Sequence, residues 1–427
     1  MATHILANDE SVQLRLRSLA GAALTVSLLL LLQFGHRPDT ATLGIMGHAI
    51  VAPAGTDSTL YMEMGQSAFR AGPRIYPQVF FNDHQKFIYP PASLFLIEGL
   101  DAMATHGLSA AVAWKIILLL AWAGCVVLGA VFYQRIRPSA TIAELMAVAL
   151  LGILFLPFAE GLLRGQVQMV LTFLWELSAL LWLQRRRGSA GFVLAITCIF
   201  KPQLAIFLVW GLVRREWRFT AAFAITCGAV LACSIAHFGV ANHLDYLPVL
   251  SYLSRHGEAL WANQSVNGLL NRLLRNGDPV SWSYTVYPPY RPAIYIVSSC
   301  FSALIAVAGL LLPLRLGWSR TIADFLLFGC VAVLMSPIAW EHHYGYFFFP
   351  AVLLLTVADR LNKQAWLLLC AGVLAMANRW PPLDHRQRGL VSLAGDYLFF
   401  AGIVLCGLLC TYASELRLRP QEDVADV

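Results

Sequence analysis

The feature that most restricts this chain is a recurring block of apolar residues, roughly 17 to 25 long, the length that carries an α-helix across a bilayer. A soluble fold alternates apolar and polar faces, whereas these blocks stay apolar around the whole helix. Composition agrees. Of 427 residues, 58% are hydrophobic and 13% charged, and mean hydropathy is +0.65, all outside the range of soluble domains. Backbone groups in hydrocarbon must satisfy one another, and blocks of this length do so as helices rather than as a barrel. The chain reads as an all-α polytopic membrane protein, one integral membrane domain over residues 1–427.

The first block, Ser18–Phe34, follows Arg15 and Arg17 as a signal peptide would. It lacks a small-x-small cleavage site and reads as a retained first span. Further spans are expected near 110–133, 140–158, 167–184, 217–239, 291–313, 322–339, 344–358, 365–378 and 389–413. Two segments break the pattern. In 89–107 the apolar run is interrupted by Glu98 and Asp101, and burying both carboxylates costs several kcal/mol, so this block is expected at the interface. Residues 189–213 are broken at Lys201-Pro202 and flanked by RRRG and RREWR; they read as a hairpin whose tip carries Lys201 into or across the membrane.

With residue 1 inside, Lys and Arg are about three times denser in the inner segments than in the outer ones, the bias of a bacterial inner-membrane protein. Counting the hairpin as two, this gives about twelve transmembrane helices and two long periplasmic loops, 35–109 (with interfacial helices) and 240–290. The net charge of +6 is then topological, and no nucleic-acid partner follows from it. The nine cysteines sit in or beside apolar blocks and read as small core residues without a disulfide framework.

Polar groups gather on the outer side. The first loop holds Asp57, Tyr61, Glu63, Arg74, Asp83, His84 and Lys86; the second holds WANQSVNGLLNRLLRNG; short turns read EGLLRGQVQ and SPIAWEHHYGY. A transporter concentrates ionisable groups mid-membrane, often in two related halves. Here they favour chemistry at one face.

Asp57 with a following Tyr and short amphipathic stretch, then YPP, RGQVQ, FKPQ, NQSVNGLLNR and SPIAWEHHY in that order, resembles glycosyltransferase family 87. The resemblance runs from about Asp57 to Tyr344. It implies a GT-C type bundle, a polyprenyl-phosphate-linked sugar as donor, inverting transfer at the periplasmic face, and a lipid or glycan acceptor among membrane lipids. Mannose is the family's most familiar sugar. The donor brings its own leaving group, so no cofactor is expected. The first loop lacks a second acid two residues after Asp57, so the paired-acid metal site of oligosaccharyltransferases is not reproduced and no metal is expected.

The resemblance places the catalytic aspartate at Asp57, where a carboxylate can take the acceptor's proton. The same residue could instead cap the helix that follows. Glu63 and Asp83 are rival bases, and Glu160 is a further acid at the second outer turn. A leaving phosphate needs cations or donors; candidates are His342, His343, Arg272, Lys201 and Arg74. Arg272 reads equally as a surface residue of a short helix, while Lys201 in an apolar hairpin needs a counter-charge or water. Adjacent positions on a helix diverge by about 100°, so His342 and His343 point to phosphate or sugar contact more than to one metal ion. Tyr61 and Tyr89, the latter before Pro90-Pro91, are candidate contacts or turn residues. Gln166, Asn263 and Gln264 suit sugar hydroxyls or helix caps. Trp261, Trp282 and Trp340 could stack on a sugar, but two of the three are expected in the interfacial belt. The competing functions are a lipid-linked glycan polymerase or ligase, and a lipid or glycan flippase using Lys201.

Overall fold

A computed structural model describes residues 41–53, 55–72, 74–380 and 388–416. The expected first span, Ser18–Phe34, lies outside them, as does most of the 379–388 turn. Among the described residues the secondary structure is helical, with a single isolated β-bridge between Asn263 and Trp340.

Three helices are long and apolar enough to cross a bilayer: Ala110–Ile136, Trp217–Phe238 and Pro292–Arg315. Two bent pairs raise the number to as many as five. Ile142–Ile153 joins Leu156–Arg164 at 44°, and Gly389–Gly395 joins Tyr397–Tyr412 at 52°. Other expected spans form shorter apolar helices, including Gln168–Leu183, Ile322–Leu334 and Lys363–Ala377. The described residues thus hold three to five helices long and apolar enough to cross, with a set of shorter apolar helices among them. The reason is burial: every residue of Ile322–Leu334 is covered by protein, so neighbouring helices rather than lipid set its useful length. The expected 344–358 span becomes a 3₁₀ turn, Glu341–Phe347, running into the helix Phe348–Leu355.

The core between these helices is aromatic. Phe325 stacks between Trp175 and Trp182 with centroids 5.1 and 5.0 Å away, and Phe207 and Trp210 pack edge-on around them. Such pairs add about 0.5–1.5 kcal/mol each beyond area burial. The segment around Lys201 is broken: Arg187–Ile196 and a 3₁₀ turn lead in, and a second 3₁₀ turn and Ile206–Val213 lead out. Its two ends meet, with Arg187 Nε 3.7 Å from Glu216 Oε2, so the segment is a hairpin. Arg214 pins it to the neighbouring helix through two contacts with Asp324, 2.7 and 2.9 Å long.

Residues 55–105 and 240–290 form one cap over the bundle although far apart in sequence. Tyr76, Phe80 and Phe87 bury against Tyr246 and Val249, Arg74 pairs with Asp245 at 2.5 Å, and the Ile75 amide donates to Asn242 Oδ1 at 2.8 Å. Within the cap, Leu94–Thr105 spans only about 18 Å at 1.5 Å per residue, short for a crossing. Its acids stay near the surface: Glu98 meets His237 at 2.8 Å, and Asp101 accepts from Gln66 at 2.5 Å.

Candidate active site

Asp57 owes its place to two glycines. The helix Thr56–Arg70 is capped by the Gly55 backbone, and Asp57 sits in its first turn, where the exposed amides favour an anion. Asp57 is therefore not the cap. A Cβ on Gly55 would collide with the backbone of Leu163 and Arg164. Gly165, which ends the helix Leu156–Arg164 at φ +70°, would set a Cβ 2.6 Å from Ser58 Oγ. Only residues without side chains allow this approach, and glycine alone takes the left-handed turn readily. It brings Gln166 beside Asp57: Gln166 Nε2 donates to Asp57 Oδ2 at 2.6 Å. Trp114 holds the turn by donating from Nε1 to the Gly165 carbonyl at 2.8 Å.

Two adjoining cavities open here, of about 150 and 300 Å³. Ile88, Tyr89, Gln166, Ile338, Trp340 and His342 line both. They differ in charge. The first is lined by three carboxylates (Asp57, Glu258, Glu341) and two cations (Lys86, Arg164). The second is lined by Lys201, His342 and His343 and by no carboxylate. The second thus suits an anion, and the first a neutral group rich in hydroxyls.

Tyr61 and Tyr89 wall the first cavity edge to face, centroids 4.9 Å apart. Tyr61 donates to the Ser93 carbonyl at 2.7 Å, and burial raises the pKa of both phenols, Asp57 adding to the effect on Tyr89. Both stay protonated donors. His343 accepts at Nδ1 from the Trp340 amide at 3.2 Å, which leaves Nε2 to carry the proton of a neutral ring. Burial first, then the charge of Lys201, pushes both His342 and His343 well below the usual histidine range. The two rings cross at 85° with centroids 4.8 Å apart, and among the described residues no three His, Cys, Asp or Glu side chains gather as a metal-ligand set.

Several expected contacts lie elsewhere. Asn263 and Gln264 are fully buried and line neither cavity. Asn263 Nδ2 donates to the Glu258 carbonyl at 2.8 Å, and Asn263 Oδ1 accepts from the Ala339 amide at 2.8 Å. Gln264 Nε2 donates to the carbonyls of Trp261 and Gly395, each at 2.9 Å. Their hydrogen-bonding capacity goes to backbone, stapling 258–265 to 337–340 and so fixing the turn that carries Trp340, Glu341 and His342. Ser265 supplies the cap, accepting from the Gly268 amide at 3.0 Å. Arg272 is not a surface residue and lines neither of these two cavities, only a separate one of about 180 Å³ formed with Arg275, Asp278 and Arg388. It is 1% exposed, donates to the Leu260 carbonyl at 2.7 Å and to that of Asn263 at 3.0 Å, and pairs with buried Asp396 at 2.5 Å. Glu160 is likewise buried behind the first cavity, 2.9 Å from Arg164 and 3.4 Å from Arg379. Glu63 and Asp83 are exposed, and Arg74 faces Asp245; none of the three lines either cavity. Of the three tryptophans, Trp282 and Trp340 line the first cavity, while Trp261 is buried under the Arg379 guanidinium, 5.0 Å from its ring.

The cavity also holds groups that sequence reasoning passed over. Lys86 Nζ and Glu258 Oε2, one from each long loop, pair at 2.6 Å and are nearly buried. Burial lowers the Lys86 pKa, and Glu258 opposes that shift. Lys86 also lies 4.1 Å over the Tyr287 ring. Glu341 adjoins the histidine pair in AWEHHY, and Arg164 lies within RGQVQ; those neighbours were the available signal. Nothing marked Glu258 out among loop acids.

Among the described residues the chain is an all-helical membrane protein with two adjoining polar cavities between its bundle and its cap. The chain belongs to glycosyltransferase family 87, whose match covers residues 87–337, more than half its length. It is a glycosyltransferase. The match begins after Asp57 and ends before Trp340, so it covers neither Asp57 nor the histidine pair. No curated protein matches the chain.

Proposed function

We propose that the protein transfers a monosaccharide, a hexose such as mannose, from a polyprenyl-phosphate donor to a lipid-linked or cell-envelope glycan, at the periplasmic face of a bacterial inner membrane. The observation that carries this reading is the charge division between the cavities. The anionic donor phosphate suits the chamber of Lys201 and His343, which has no carboxylate. The acceptor hydroxyl suits the chamber of Asp57, and the sugar lies at the shared wall of Tyr89, Gln166 and His342.

Asp57 acts as general base, its carboxylate oriented by Gln166. As it takes the acceptor's proton, the acceptor oxygen bonds to the anomeric carbon from the face opposite the phosphate. The carbon–oxygen bond to phosphate breaks, its electron pair leaves with polyprenyl phosphate, and the configuration inverts. Lys201 and a neutral His343 N–H meet the charge growing on the leaving oxygen, in a site drier than water where such donors act strongly. Because the charge on the leaving group is met by side chains, no metal is needed. The density of Lys and Arg in the opposite segments supports the outward orientation of the cap.

The test uses protein in nanodiscs with a panel of polyprenyl-phosphate monosaccharides and a membrane-lipid extract. Wild type releases polyprenyl phosphate and forms a glycosylated lipid; Asp57→Asn loses about a thousandfold or more while still binding donor. Full activity in Asp57→Asn removes the base. No release with any donor removes the polyprenyl-phosphate reading.

A further inference from the structure

Part of the first cavity has no role in the chemistry above. Lys86, Glu258, Trp282 and Tyr287 line it together with Asp57. They come from both long loops, and the Lys86 amide donates to the Tyr284 carbonyl at 3.2 Å, tying the two strands of the wall.

The chemistry of this wall is specific. Trp282 Nε1 is buried and has no hydrogen-bond partner among the described residues, and a buried donor left unmet is costly unless a ligand or water answers it. Glu258 is held on both oxygens, by Lys86 at 2.6 Å and by the Ala259 amide at 3.1 Å. Each carboxylate oxygen has more than one acceptor position, so capacity remains for ligand hydroxyls. The Trp282 and Tyr287 rings add aromatic surface to the wall, with the Lys86 ammonium lying 5.3 and 4.1 Å over them. Charge decides what fits. Three carboxylates against two cations line the cavity, and Lys86 is already neutralised by Glu258, so a second anion entering here meets net repulsion.

We infer that Lys86, Glu258, Trp282 and Tyr287 form an acceptor subsite for a neutral hydroxylated sugar ring, which rejects acidic sugars. The subsite rests on the transferase reading for its purpose but not for its detection. The Trp282 indole N–H donates to one ring hydroxyl, Glu258 accepts from another, and the Trp282 and Tyr287 side chains, held by Lys86, line the cavity beside the sugar ring. Asp57, in the same cavity, then meets a hydroxyl of that ring or of the residue attached to it.

The experiment measures binding without turnover. Protein in nanodiscs, without donor, is titrated with methyl α-mannoside, methyl α-glucoside and methyl α-glucuronide, and contact is read by saturation-transfer NMR on the ring protons. The neutral glycosides are expected to receive saturation and the glucuronide at least about tenfold less at equal concentration. Trp282→Phe keeps an aromatic side chain but removes the N–H together with the pyrrole half of the indole, and is expected to weaken neutral-sugar binding at least about 3- to 10-fold. Glu258→Gln is expected to weaken neutral-sugar binding similarly, a loss that a purely structural ion pair does not produce, and to narrow the discrimination against glucuronide because Lys86 is left uncompensated. Equal binding of glucuronide and glucoside, or neutral-sugar binding unchanged in both variants, overturns the subsite. Binding with these preferences but no transfer from any donor keeps the subsite and removes the polyprenyl-phosphate reading; transfer with no sugar preference does the reverse.

Discussion

The Gln166 side-chain amide donates to Asp57 Oδ2 at 2.6 Å, across 109 residues of sequence. The contact exists because Gly55 and Gly165 let two backbones meet, and it sets the direction of the carboxylate in the cavity. Hydrogen bonds to a charged group contribute about 1.5–3 kcal/mol. Gln166→Leu is therefore expected to lower kcat about 10- to 100-fold with donor KM little changed. Gln166→Asn keeps the amide but shortens it, and is expected to lower kcat as well; activity unchanged in both variants argues that the Gln166 contact does not orient the base.

Lys201 is the cation of the second cavity, and no acid lines that cavity beside it. If it holds the donor phosphate, Lys201→Met raises donor KM about 10- to 100-fold and leaves acceptor KM near wild type. Lys201→Arg retains charge and recovers part of the loss. Initial rates with each substrate varied in turn separate the two constants, and an effect confined to acceptor KM contradicts the assignment.

Arg272 and Asp396 are both fully buried and 2.5 Å apart. Removing one partner strands the other charge, at about 3–5 kcal/mol. Arg272→Met is expected to lower the unfolding temperature sharply while the folded fraction keeps its donor KM. Pairing it with Asp396→Leu removes both charges, and most of the lost stability should return. A variant with normal stability and a raised donor KM points instead to phosphate binding.

His342 and His343 are held well below the usual histidine range by burial and by Lys201. On acidification the unfolded chain takes up protons first, near pH 6.5, while the folded rings stay neutral. Their contribution to stability is complete above about pH 6.5 and is lost as pH falls below it, by up to about 1.4 kcal/mol per pH unit per ring. Thermal unfolding of detergent-solubilised protein should show Tm falling between pH 7.5 and 5.5, and His343→Gln should flatten that slope. An equal slope in the variant contradicts a neutral His343.

The sequence alone determined the class. Long apolar blocks permit little but membrane helices, and the hairpin at Lys201 was legible because charge on both flanks and a central Lys-Pro leave few other solutions. Asp57, Lys201 and His342 stood out because a charged or titratable group beside apolar sequence costs energy unless it is used. Tertiary structure decided which polar residues face open space. Asn263, Gln264 and Arg272 look like ligand groups in sequence, yet backbone carbonyls and Asp396 take up their donors. Glu258 carried no local signal and Trp282 read equally as a belt residue, and they matter because folding brings the two long loops together over Asp57. Local sequence states which groups a chain owns; only packing across more than a hundred residues sets which of them remain unsatisfied at a cavity, since hydrogen-bond partners and burial are properties of neighbours in space.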